Sequence, residues 1–77
     1  MAPGVVSKEK YLKRFGRRVK ELRMAAGISQ AELASRIGKD QQSIQRLEAG
    51  KINPSLFYLF EVASGLNMYV EELLHDL

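Results

Sequence analysis

Between Gly38 and Gly50 the chain reads GKDQQSIQRLEAG, and four of its side chains are long hydrogen-bond donors: Gln41, Gln42, Gln45 and Arg46. A glutamine amide can donate and accept at once, and a guanidinium is a planar fork of donors. These are the shapes that make paired hydrogen bonds to base edges in the major groove, Gln to adenine and Arg to guanine. On a helical wheel of about 100° per residue they fall with Ala49 on one arc of roughly 140°. Ile44 and Leu47 fall on the opposite side with Asp40 and Glu48, and Ser43 sits at the edge. Since Ile44 and Leu47 need a core, the glutamines and Arg46 must face outward together. Gln and Arg are also good helix formers on a solvated face, so this helix alone leaves base readout and plain solvation both open.

The elements that must position these residues are all helical, with no alternation long enough for a strand. Leu12, Phe15, Val19, Leu22 and Ala26 recur at spacings of three and four and predict a first helix from about Lys8 to Ala26. Gly16 interrupts its stripe and Gly27 closes it. Ser29 and Glu32 then form a capping box that opens a short helix from Gln30 to Ile37, with Leu33, Ala34 and Ile37 inward. Asp40 caps a third helix that closes at Gly50. Ser55 caps a fourth, with Leu56, Leu59, Phe60 and Ala63 inward, stopping near Gly65. A last helix runs from about Val70 to Leu77. Short turns between five short helices make an all-α domain, expected over residues 8–77, with residues 1–7 as a flexible N-terminal arm.

Composition narrows the function classes. The 77 residues make one domain with a modest core. Hydrophobic residues are 45% and charged residues 27%, so neither disorder nor low complexity is indicated. There is no Cys and one His, His75, so no disulfide framework, metal site or cofactor is expected. No apolar run approaches the roughly 18 residues of a membrane span, no signal peptide is legible, and a cytoplasmic protein is the default. No nucleophile has a base partner, no glycine-rich phosphate loop is present, and Glu71 and Glu72 point about 100° apart on a helix. An enzyme is not expected. The net charge is +3, but all twelve Lys and Arg lie in residues 1–51 against five acids, while residues 52–77 hold the other four acids and no Lys or Arg. A polyanion partner on one side fits that division.

A capped short helix, a tight turn at GKD and a second short helix with a polar outward face make a helix-turn-helix. Here the chain resembles the Xre family of phage-repressor and Cro-like DNA-binding domains. The residues that carry the likeness are LRMAAGISQAELASRIGKDQQSIQRLEAGKINPS, from Leu22 to Ser55, in particular Ser29-Gln30, Glu32-Leu33-Ala34, Gly38, Ile44, Glu48, Gly50 and Pro54 in that order. LFYLFEVASGLNMYVEELL is similar to the family's last two helices.

The resemblance implies a compact five-helix, lambda-repressor-like domain that binds double-stranded DNA in a sequence-specific way, as a small transcriptional regulator. Gln41, Gln42 and Arg46 match positions that read base edges, and Gln45 is counted with them from its place on the wheel. Gln30 matches a phosphate contact at the start of the second helix. Ser43, Lys39 and Lys51 complete the expected phosphate contacts. Arg23 and Glu48 match a structural salt bridge between the first and third helices. Three positions depart from the family pattern. Lys39 stands where an aliphatic is usual, Asp40 replaces a Ser or Thr cap, and Tyr69 stands at the cap of the last helix.

The acidic half holds more large apolar residues than a small core requires. Phe57, Tyr58, Val62, Leu74 and Leu77 are the candidate dimer interface. A two-fold homodimer would offer two recognition helices to a symmetric operator. The alternative reading is an antitoxin or other protein-partner module, with a toxin as the chief partner and DNA binding secondary.

Overall fold

In the computed structural model, which describes Gly4 and residues 7–77, the chain forms five helices and, among the described residues, no strand. They are α1 (Lys8–Ala25), α2 (Gln30–Arg36), α3 (Gln41–Glu48), α4 (Leu56–Gly65) and α5 (Val70–Leu73). The expected arm, residues 1–7, lies outside the described residues but for Gly4 and Ser7.

Four of the five helices open on a side-chain cap. Ser7, Ser29, Asp40 and Ser55 each accept a hydrogen bond from the backbone N–H three residues on, which satisfies a donor the helix itself cannot use. Tyr69 makes no such bond at α5. There the Glu72 carboxylate accepts from the Tyr69 backbone N–H at 3.1 Å instead.

Val19, Leu33, Ile44, Leu47, Val62 and Leu73 are fully enclosed, one or two from each helix, so a single core binds all five. α1 runs unbroken through Gly16, and the glycine is there for approach. A Cβ at residue 16 would sit 2.6 Å from the Leu47 carbonyl oxygen and nearer still to that of Glu48. The C-terminal end of α3 therefore lies directly on the backbone of α1. Gly50 then turns the chain with φ +72°, and a Cβ there would meet Lys13 of α1 at 2.9 Å.

Two expectations need correction. On α4 the inward face is Leu59, Val62, Ala63 and Leu66, not Leu56 and Phe60, which are 69% and 49% exposed. Val62 is wholly buried and so is not an interface residue; Tyr58 and Leu77 are half-buried against the core. The run Leu56 to Phe60 is apolar all the way round, so its periodicity cannot choose a face. The i, i+3, i+4, i+7 set from Leu59 to Leu66 does choose, and turns Leu56 and Phe60 to its flank. The second correction is to α5, which stops at Leu73 rather than Leu77. Arg18 donates to the Glu72 carbonyl at 2.9 Å and Arg14 to that of Asp76 at 2.8 Å. These α1 side chains serve the terminal carbonyls in place of further helix, and Asp76 adopts φ +62°.

Candidate nucleic-acid interface

Asp40 starts the site. Its carboxylate accepts from the Ser43 N–H at 2.7 Å and so fixes where α3 begins. From that start Ile44 and Leu47 are buried to 0% and 1% exposure, and Gln41, Gln42, Gln45 and Arg46 all face outward. Among the described residues, no internal hydrogen bond or ion pair holds any of these four side chains. Two shallow clefts run along them. One is lined by Asp40, Gln42, Ser43, Arg46 and Ile52, the other by Gln42, Gln45, Arg46, Ala49 and Lys51. The exposed Lys51 thus flanks the reading residues on the far side of Ala49.

Behind this face the C-terminal end of α3 is tied to α1. Arg23 Nε donates to Glu48 Oε2 at 2.6 Å and Nη2 to Oε1 at 3.0 Å, while Nη1 donates to the Ile28 carbonyl at 2.9 Å. The two side chains are 10% and 4% exposed. The hydrogen bond to Glu48 raises the Arg23 pKa above its ordinary value and outweighs the effect of burial, so the guanidinium stays charged. Gln30 joins the pair, donating from Nε2 to Glu48 Oε1 at 3.0 Å. An amide nitrogen has two protons, so the second remains for a partner outside.

The N-terminal end of α3 is tied to α4. Ser43 Oγ lies 2.7 Å from the Tyr58 hydroxyl. Lys39 turns its amine away from the reading face, 5.3 Å above the Tyr58 ring and 3.4 Å from Glu61 Oε1. Tyr58 and Glu61 were invisible in this role from sequence. Their one signal is a spacing of three on α4, which puts them on the same side of that helix.

The charge division also has an internal explanation in part. Besides Arg14 and Arg18, Arg36 donates to the Gly65 carbonyl at the end of α4 at 3.0 Å. Three arginines of the basic portion therefore serve as caps for the acidic one.

On α4 and in the segment after it, Leu56, Phe57, Phe60, Tyr69 and Leu74 are exposed. Phe60 and Tyr69 flank a groove of about 500 Å³ floored by Ala63, Met68 and Val70. Among the described residues there is no cluster suited to a metal ion, and no helix is long and apolar enough to cross a membrane.

The helix-turn-helix family model matches residues 19–73. An uncharacterized HTH-type transcriptional regulator from Archaeoglobus fulgidus is 39% identical over 56 residues, which are 73% of this chain and 80% of the relative. Among solved structures, the restriction-modification controller protein C.AhdI from Aeromonas hydrophila is 35% identical with a TM-score of 0.84, covering 88% of this chain and 99% of that one. A hypothetical transcription factor, NHTF from Neisseria, is 25% identical with a TM-score of 0.77, covering 96% and 86%.

Proposed function

This chain belongs to the Xre and Cro-like helix-turn-helix family, and we propose that it is a small transcriptional regulator that reads double-stranded DNA with α3 in the major groove. One observation carries the reading. Gln41, Gln42, Gln45 and Arg46 stand together on the outer face of a helix anchored at both ends, and no internal partner takes up their donors. Amides and a guanidinium without partners, carried on an anchored helix, are the parts that direct base readout requires.

Phosphate contacts fall to Lys51, which is exposed, and to Gln30 and Ser43. Each of the latter spends one internal hydrogen bond and keeps further capacity. The exposed apolar residues of α4 and α5, with Phe57 and Leu74 from the expected set and Leu56, Phe60 and Tyr69 added, form the surface for a second copy. Two copies related by a two-fold axis would present two α3 helices to a symmetric operator. A regulator of this kind would work in the cytoplasm.

Selection from a randomised duplex library tests this. The expected product is a two-fold symmetric site. Gln42→Ala or Arg46→Ala should cost about 1–3 kcal/mol of binding and relax preference at one position of each half-site. Equal binding to every sequence, lost as salt rises, would reduce the interaction to phosphate attraction and overturn base readout.

A further inference from the structure

α4 places none of its side chains on the reading face, yet two of them hold the segment that leads into it. Tyr58 reaches the Ser43 hydroxyl, and Glu61 holds Lys39, whose amine lies over the Tyr58 ring. Ser43 is thereby fixed twice, by Asp40 at its N–H and by Tyr58 at its Oγ. Gln41 and Gln42 immediately precede it in the first turn of α3. The leverage is large. Side-chain tips lie about 5–6 Å from a helix axis, so a turn of 10° moves an amide by roughly 1 Å. Hydrogen bonds to a base edge tolerate only a few tenths of an ångström around about 2.9 Å.

Lys39 is the second half of the device. A lysine in the turn of a helix-turn-helix is a ready phosphate ligand, and attraction of that kind is blind to sequence. Here Glu61 pairs with the amine and the Tyr58 ring lies 5.3 Å from it, so the lysine is drawn toward α4.

We propose that Tyr58 and Glu61 are positioning residues for base readout, Tyr58 by fixing the rotation of the N-terminal turn of α3 and Glu61 by withholding Lys39 from phosphate. The proposal rests on DNA reading by α3 and adds that α4 sets its selectivity. Both residues act through others, Ser43 and Lys39, and neither needs to touch DNA.

The test compares wild type, Tyr58→Phe and Glu61→Gln on the selected duplex and on a scrambled one, in rising salt. Tyr58→Phe keeps the ring and loses the hydroxyl. It should lower the ratio of selected to scrambled affinity about 5- to 10-fold, on the order of one hydrogen bond, with scrambled binding unchanged. Glu61→Gln should strengthen scrambled binding and steepen the salt dependence by about one phosphate contact. A purely structural role would move the melting temperature and leave both readouts alone.

To separate a general loss of folding, Ser43→Ala and the double variant with Tyr58→Phe complete a cycle. The double variant should be no less selective than either single one. Additive losses, or a wild-type ratio in Tyr58→Phe, would overturn the role of Tyr58. An unchanged salt slope in Glu61→Gln would overturn that of Glu61. A wild type that does not discriminate between the two duplexes would overturn the reading by α3 itself, and positioning with it.

Discussion

At its C-terminal end α3 is fastened to α1 by a bidentate ion pair almost closed off from water, with Gln30 as a third member and the Gly16 backbone in direct contact. At its N-terminal end it is fastened to α4 by one hydroxyl pair and by a lysine that is a third exposed. The first fastening is a dry ion pair, the second a neutral hydroxyl pair beside a partly exposed ion pair. Desolvated charges are severe when unpaired, whereas exposed pairs contribute about 0–1 kcal/mol. The C-terminal end therefore decides whether α3 is in place at all. The N-terminal end, with little stake in stability, is free to set where Gln41 and Gln42 point.

That division is most easily broken at Glu48. Glu48→Ala leaves the Arg23 guanidinium, buried in the intact protein, with only the Ile28 carbonyl as partner. A loss of about 3–5 kcal/mol is expected, a large share of what a domain of this size has. Thermal unfolding followed by circular dichroism should fall by roughly 12 °C or more; a shift of a degree or two would mean that the buried pair is not the anchor.

Asp40→Ala attacks the other end and should cost about 1 kcal/mol, the usual worth of an N-cap. Its second effect has the opposite sign. A carboxylate beside DNA phosphates repels them, so titration against a scrambled duplex should show tighter binding than wild type despite the lower melting temperature. Weaker binding would mean that order in the first turn of α3 outweighs the charge.

The two ends also differ in how legible they were. Local signals gave the helix-turn-helix outright: the Ser29 and Asp40 caps, Gly38 and Gly50 as stops, and Ile44 with Leu47 to orient α3. The pairing of Arg23 with Glu48 came from family resemblance, since two charges 25 residues apart carry no local mark. The grip of α4 was hidden for a different reason. Leu56 to Phe60 has large side chains on every side, so the wheel cannot tell that Val62 turns in and Leu56 out, nor that the Tyr58 hydroxyl meets Ser43. The same holds for α5, after whose early stop the Glu72 and Asp76 carbonyls accept from Arg18 and Arg14, far off in sequence. Periodicity reports what a helix needs from a core. It does not report which distant side chain will serve a carbonyl or a hydroxyl.

The finest test of the comparison is Lys39→Met, where the smallest change in stability is expected. The methionine keeps an unbranched side chain and loses the amine that lies over the Tyr58 ring. The ion pair with Glu61 is partly exposed on both sides, 35% and 23%, and such pairs are screened by water and salt. Against its loss stands the burial of an apolar side chain at a turn position where the family resemblance implies an aliphatic. The two terms are of similar size and opposite sign, so chemical denaturation should place the variant within about 0.5 kcal/mol of wild type. A loss of about 2 kcal/mol would mean that the N-terminal fastening bears stability after all, and the contrast between the two ends of α3 would collapse. A null result in stability, with selectivity preserved because Tyr58 still meets Ser43, would assign to the lysine charge no part in holding the fold and leave orientation of the reading helix to the hydroxyl pair.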